Sequence, residues 1–164
     1  MVIFAHSTVT DAWNQAHRVI RVPEPLMNLE APSEGSTVRQ PFLLSGWAID
    51  QAAGAGTGVN AVHVYAYPSD ASGVPAGPAI LAKAASYGFP RPDVGAAFGS
   101  QFTNSGYALD ITGLPGGYYH LVVYAHSTIN GVWNEAHRII RVPAPLMNLE
   151  APAAGATARQ PFTV

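Results

Sequence analysis

An internal repeat with a period of 120 residues constrains this chain more than any other feature. Residues 1–44 align without a gap with residues 121–164, and 28 of the 44 aligned pairs are identical. The longest identical run, PLMNLEAP, occurs at 25–32 and again at 145–152. A period of this length corresponds to a whole domain, so the chain is predicted to hold about one and a third units of a tandem array.

Proline-rich segments indicate where one unit ends and the next begins. The sequences PEPLMNLEAP and PAPLMNLEAP occur at equivalent positions of the two copies. Closely spaced prolines keep a backbone extended and semi-rigid, as in linkers between domains. We therefore predict a complete repeat over 23–142. Residues 1–22 are predicted to be the C-terminal strands of a preceding repeat, and 143–164 the N-terminal segment of a following one.

The two ends are predicted to be incomplete units of a longer array. Met1 aligns with Leu121, which lies inside a predicted strand. An isolated strand pair is only marginally stable in water, because its backbone and apolar face lack partners. We therefore expect other copies of the repeat to complete both ends, along one chain or by strand addition between chains. Head-to-tail contacts of that kind propagate into a filament.

The composition excludes several classes of protein. Hydrophobic residues make up 48% and charged residues 11%, which argues against a disordered chain. A net charge of −2 provides no attraction for nucleic acid or for an anionic membrane. There is no cysteine, so disulfides and cysteine nucleophiles are excluded. No apolar run is long enough to span a bilayer, and we predict neither a nucleic-acid partner nor membrane insertion.

The hydrophobic pattern predicts an all-β fold. Short runs with alternating apolar residues are separated by clusters of glycine, proline and asparagine, and no long segment has helical periodicity. About seven strands in a unit of this size are typical of an immunoglobulin-like Greek-key β-sandwich. The predicted strands lie at 41–50, 60–68, 79–87, 106–114, 118–127 and 134–142, with a long loop over 89–106.

Three stretches carry a family resemblance. They are EAPSEGSTVRQPFLLSGWAID, GVNAVHVYAYP and RPDVGAAFGSQFTNSGY. Together they resemble bacterial immunoglobulin-like, or fibronectin-III-like, tandem repeats of large secreted and surface proteins. The resemblance covers nearly the whole unit. It implies the sandwich fold and an extracellular or cell-surface location, and it implies no chemistry, since such domains generally serve as spacers, stalks and adhesion modules.

Two aromatic residues are predicted to be structural. The sequence GLPGGYYHLVV resembles the tyrosine corner of Greek-key sandwiches, in which a tyrosine hydroxyl holds a turn. Tyr119 is the better candidate, because it shares a strand face with Leu121 and Val123. Trp47 is predicted to be the large interior ring, packed against this corner and the valines of 62–64.

No pattern of catalytic or metal-binding residues is visible. Of the six histidines, His6 and His126 are copies of each other, as are His17 and His137, and no HExxH spacing occurs. No Gly-x-Ser-x-Gly sequence is present, and nothing in the spacing of the aspartates requires a pair of carboxylates in a cleft. We therefore predict no metal, no cofactor and no enzymatic activity.

Tyrosines and histidines are predicted to line one outer face of the sandwich. If the valines and leucine of the strands at 60–68 and 118–127 face the core, the residues between them point outward. We call this set the Tyr/His face: His63, Tyr65, Tyr67, His120, Tyr124 and His126.

Low charge and many tyrosines characterise contact surfaces, so this face is predicted to be an interface or a sugar-contact surface. The leading hypothesis is a structural or adhesive extracellular module of a stalk, surface fibre or filament, whose partners are other copies of the repeat. The alternative is a carbohydrate- or ligand-binding module that uses the Tyr/His face.

Overall fold

The computed structural model describes residues 2–19 and 25–147, together with 155 and 157, and it is built mainly of strands. The described residues are mostly β, as predicted, and they also include one short helix. The elements in chain order are β1 (Val2–His6), β2 (Trp13–His17), β3 (Pro25–Ala31), β4 (Phe42–Asp50), β5 (Val59–Ser69), β6 (Leu81–Ala84), β7 (Ser86–Phe89), α1 (Pro92–Phe98), a 3₁₀ turn (Ser100–Phe102), β8 (Gly106–Ile111), β9 (Gly117–Ser127) and β10 (Trp133–Val142).

Strands β3 to β10 form two four-stranded antiparallel sheets. Sheet I has the order β10-β9-β5-β6, and sheet II has the order β3-β4-β8-β7. The inner faces of the two sheets pack together as a sandwich, because one hydrophobic cluster draws residues from both. Its large, fully buried members are Leu44, Val62, Val64, Tyr107, Ile111, Leu121, Val123 and Ile140.

The segment after β3 crosses from sheet II to the edge of sheet I. Gly35 donates its backbone N–H to the Ile139 carbonyl at 2.8 Å, and Val38 donates to the Arg141 carbonyl at 2.8 Å. Thr37 and Arg141 therefore form an isolated parallel β-bridge at the edge of β10. This crossing ties the two sheets together at one side and pairs part of the free edge of β10.

The predicted strand at 79–87 is two strands in the structure. Residues 81–84 form β6 in sheet I, and residues 86–89 form β7 in sheet II, so the chain changes sheets at Ala85. Residues 25–142 consequently contain eight strands, where the sequence predicted about seven.

The predicted loop over 89–106 contains the helix α1. Pro92 begins this helix, where a proline costs no hydrogen bond. Val94 and Phe102 are buried here, and they pack on Ile49 against the outer face of sheet II. Among the described residues, no helix has the length and apolar character needed to cross a membrane.

The prediction that Trp47 is the interior ring of the sandwich is wrong. Trp47 is half-buried on the outer face of sheet II, where its ring lies 5.5 Å from that of Phe98. Leu44 and Ala48 occupy the inner face instead. Both faces of β4 are apolar because α1 covers the outer one, so alternation within this strand does not identify the core side.

Tyr107 supplies the large interior ring in place of Trp47. It is buried opposite Gly46, its partner in the β4–β8 ladder, and its hydroxyl donates to the Asn28 carbonyl at 2.9 Å. A Cβ atom on Gly46 would overlap both the Asn28 carbonyl and the Tyr107 hydroxyl. The glycine therefore provides the space that the tyrosine fills.

Tyr119 lies at the beginning of β9 with its ring buried. Its hydroxyl donates to the Pro115 carbonyl at 2.8 Å, four residues upstream. This is the hydrogen bond that a tyrosine corner makes. Leu121 and Val123, on the same face of the strand, are fully buried in the core.

Strands β1 and β2 form a separate hairpin that repeats the β9–β10 pairing. Val2 pairs with His17, and Val122 pairs with His137 at the same offset of 120. All residues of β1 and β2 are exposed, whereas β9 buries its inner face against the core. The predicted unit boundaries stay predictions, because residues 20–24 and most of 143–164 lie outside the described residues.

We expect the neighbouring leucines of β4 to differ sharply in their effect on stability. Leu44 is 0% exposed and Leu43 is 50% exposed. Leu44→Ala should lower the free energy of unfolding by about 2–5 kcal/mol, because it leaves a cavity in the core. Leu43→Ala should change it by less than about 0.5 kcal/mol. Urea unfolding of both variants measures this, and equal effects would show that the facing of β4 is wrong.

Candidate functional site

The six residues of the Tyr/His face all lie on the outer surface of sheet I. The β5–β9 ladder pairs His63 with Tyr124 and Tyr67 with His120. Directly paired residues point to the same side of a sheet, so the alternating valines fill the core and these rings point away from it. All six side chains are partly exposed, and they form two groups rather than one site.

The first group surrounds an open groove of about 540 Å³. We call it the aromatic groove, and it is lined by His63, Tyr65, Tyr67, Tyr124 and Trp133. Strands β5, β9 and β10 each contribute to it, so it depends on the pairing of three strands. Four of its five residues belong to the predicted Tyr/His face.

Ring contacts hold the walls of the aromatic groove in place. The Trp133 ring lies 4.8 Å from His63 and 4.7 Å from His126, measured between centroids. Tyr65 meets Tyr124 edge to face at 5.7 Å and stacks on Tyr67 at 6.4 Å. Such offset and T-shaped pairs are the favourable arrangements of aromatic rings. The Nδ1 atom of His126 also lies 2.8 Å from the Asn60 side-chain oxygen.

Sequence reasoning missed Trp133. It begins β10, immediately after a turn, and its register partner His126 places it on the outer face of sheet I. A signal was present, because Trp13 occupies the equivalent position in the first copy, where it contacts His6.

Negative charge lies beside the aromatic groove. Glu135 is the register partner of Tyr124. Burial raises the pKa of the Tyr124 hydroxyl above its ordinary value, and the Glu135 carboxylate raises that pKa further. None of the five lining residues is a lysine or an arginine. The groove is therefore aromatic, polar at its rim and without a fixed positive charge.

The second group is a chain of hydrogen bonds around His120. Its Nδ1 atom lies 2.9 Å from the Gly73 carbonyl, which only accepts, so Nδ1 carries the proton. In a neutral His120 the Nε2 atom then accepts from His137 Nδ1 at 2.9 Å. The other nitrogen of His137 lies 3.3 Å from Glu135. These contacts hold the loop around Gly73 against sheet I. His120 is not among the residues that line the aromatic groove.

A buried serine–aspartate pair joins the two sheets at one end. Ser127 donates its hydroxyl to Asp50 at 2.5 Å and accepts the backbone N–H of Ile129 at 3.0 Å. Both side chains are almost fully buried, so no substrate reaches the hydroxyl. The pair holds the ends of β4 and β9 together. Within the described part of the chain, no three histidine or acidic side chains gather as a metal site would require.

Comparisons with known proteins give no family. No protein-family model matches the chain, and no curated protein matches it.

Several solved structures are similar in shape. One is an engineered protein, with a TM-score of 0.46, 10% identity and coverage of 73% of this chain and 20% of that chain. Another is CopC from Methylosinus trichosporium OB3b, with a TM-score of 0.46, 18% identity and coverage of 77% and 99%. A third is the fibronectin(III)-like modules of Clostridium thermocellum CbhA, with a TM-score of 0.44, 12% identity and coverage of 87% of this chain and 60% of that chain.

We expect the charge of Glu135 to be measurable at Tyr124. Glu135→Gln should lower the pKa of the Tyr124 hydroxyl, because the negative charge that opposes its ionisation is removed. Glu34→Gln, which removes a carboxylate bound elsewhere on β10, should leave that pKa unchanged. NMR titration with ¹³Cζ-labelled tyrosine follows each ring separately. An unchanged Tyr124 pKa in Glu135→Gln would contradict the arrangement of this rim.

Proposed function

We propose that this chain is part of a structural array in an extracellular or cell-surface protein, where it forms a stalk, surface fibre or filament. The repeating unit in this proposal is an immunoglobulin-like Greek-key sandwich of 120 residues. One observation carries the proposal. The polypeptide chain enters the unit at one end of the sandwich and leaves it at the other end.

The entry and exit points are separated along β10. Pro25 begins β3 and accepts a hydrogen bond from the Asn134 side chain at 3.1 Å, near the start of β10. Val142 ends β10 beside Gly117, at the opposite end of the sheet. The eight steps from Asn134 to Val142 correspond to about 26 Å at ~3.3 Å per residue. Units joined in this way advance along a common axis instead of folding back.

The start of the joint is held against the sandwich. Gly116 lies so close to Ala144 that a Cβ atom on the glycine would overlap it. Pro143 and Pro145 flank Ala144, and prolines so closely spaced restrict the backbone to extended conformations. Contact and stiffness together favour a defined angle between successive units.

The strand order supports the immunoglobulin-like part of the proposal. Taken in chain order, β3 to β10 correspond to strands A, B, C, C′, D, E, F and G. The observed orders are then ABED for sheet II and GFCC′ for sheet I, which are those of an immunoglobulin-type sandwich. The crossing of residues 35–38 to β10 adds a second link between the sheets.

Neighbouring copies of the repeat are the proposed partners. Ile3 and Ala5 are exposed on β1, whereas their counterparts Val123 and Ala125 are buried on β9. The difference arises because β9 pairs with β5, and β1 has no such neighbour among the described residues. A hairpin of this sequence therefore gains an apolar core when a β5-like strand of another unit lies beside it. The proposal assigns no catalysis and no nucleic-acid partner to the array.

A second candidate function is ligand or carbohydrate binding. The observation that favours it is the aromatic groove, which is open and lies on the side of the sandwich rather than at its ends. A structural array and a binding face are compatible, since an adhesive stalk needs both.

We expect chains with added units to lengthen in proportion to their number. Chains carrying two and four copies of the 120-residue unit should show a maximum dimension that rises by a constant step in small-angle X-ray scattering. Replacing Pro143 and Pro145 by glycine at each joint should reduce that step, because the joint becomes flexible. Pro78→Gly in an exposed loop is the matched control and should leave the step unchanged. A compact particle whose dimension does not grow with unit number would overturn the proposal.

A further inference from the structure

We propose that the aromatic groove binds neutral pyranose rings of a polysaccharide or glycan chain. This inference rests on the second candidate function above, and it names the class of ligand and the residues that contact it. Trp133 and Tyr65 supply the stacking surfaces, and the hydroxyl and imidazole groups at the rim supply hydrogen bonds.

The exposure of Trp133 is the first argument. Trp133 is 41% exposed on the assembled sandwich, although burial of a large aromatic ring is favourable. The two copies differ at 16 of 44 aligned positions, but both keep this tryptophan and the histidine paired with it. The ring contact is also the same, with centroids 4.7 Å apart in both copies. An aromatic ring that stays exposed on the packed sandwich favours a contact with something outside the unit.

The mixture of ring faces and polar atoms is the second argument. One face of a pyranose ring carries C–H groups that pack on an aromatic ring, while its hydroxyls point outward in the ring plane. Trp133 lies on β10, and the Tyr65–Tyr67 stack lies on β5, across β9 on the same face of the sheet. The tyrosine hydroxyls and His63 can donate and accept hydrogen bonds, and the nearby Glu135 carboxylate can accept them. An aromatic pocket with a few polar groups is the usual form of a small-molecule site.

The charge of the groove selects neutral sugars. No cation lines it, and Glu135 adds a negative charge beside Tyr124. Lys83 borders an adjoining, smaller depression of about 170 Å³ on the β6 side, which His63 and Tyr65 also line. Sulfated or uronate-rich chains that extend to Tyr124 would meet the Glu135 carboxylate on the opposite side of the groove from Lys83, which disfavours their binding there. The open shape admits internal units of a chain as well as its ends.

The test uses the 164-residue chain and a panel of soluble polysaccharides. Affinity electrophoresis and calorimetry are carried out with neutral β-glucan, xylan, mannan and galactan, and with anionic polygalacturonate and heparin. We expect at least one neutral polysaccharide to bind. Trp133→Ala and Tyr65→Ala should each weaken that binding at least about tenfold, because each removes a stacking surface.

Tyr118→Ala is the matched control. Tyr118 is on the same sheet face and 39% exposed, but its ring lies under Arg141 and outside the groove. Its loss should change binding less than twofold. Trp133→Tyr keeps a ring and should retain most of the affinity, which separates loss of stacking from loss of folding. Thermal unfolding of each variant identifies any that fail to fold.

Each contrary result overturns a different part of the inference. Binding of the anionic chains alone, still lost in Trp133→Ala, would refute the neutral class but support ligand binding. An equal loss in Tyr118→Ala would refute the location. Absence of any binding by the folded chain would refute the ligand function and leave the scattering test of the array unaffected. Self-association in sedimentation that Trp133→Ala abolishes would identify the groove as an interface between copies and refute the sugar site.

Discussion

The ladder between β5 and β9 is the element on which the rest of the structure depends. Both strands are 11 residues long, and their pairing lies at the centre of sheet I. It places Val64 opposite Val123 in the core and His63 opposite Tyr124 outside. A shift of one residue in either strand would bury its aromatic and imidazole side chains and expose its aliphatic ones. The register is therefore fixed by the apolar face, and the aromatic groove follows from it.

The same ladder explains why two nearly identical hairpins have different surroundings. β1–β2 and β9–β10 share their register, yet only the second contributes to a core. Hydrophobic stabilisation comes from removing apolar area from water, so a hairpin gains little until a β5-like strand and an opposing sheet cover it. The hairpin sequence provides an apolar face that fits a sandwich, and packing within the sandwich stabilises the hairpin.

The sequence predicted the facing of β5 and β9 because their two faces differ in chemistry. One carries valine, alanine and leucine, and the other carries tyrosine and histidine. The same reasoning failed for β4, since α1 covers the outer side of Trp47 and the small Gly46 conceals the space that Tyr107 occupies. Alternation reports the core side of a strand only when its other side faces water.

Short-range sequence patterns also missed features that depend on tertiary structure. The change of sheet at Ala85 falls inside a run that looks continuous, because a crossing needs only one residue and no special turn. The helix α1 has seven residues, too few for a helical periodicity to appear. Trp133 was overlooked because it follows a turn, and only the register with His126 shows that it belongs to the groove. Four of the five groove residues were predictable from alternation, but their grouping needed the pairing of three strands.

The separation of the joints from the groove allows both proposed roles in one molecule. In the proposed array, the chain would enter each unit near Asn134 and leave it after Val142, so neighbouring units would meet along the strand direction. The outer face of sheet I runs parallel to that direction and stays accessible when units are stacked end to end. A shallow, open groove would hold a single sugar chain weakly, since little of the ligand is enclosed. In the proposed array, repetition every 120 residues would compensate, because each unit bound would raise the effective concentration of the polysaccharide at the next. Stiff joints would increase this gain by keeping the grooves at a fixed spacing.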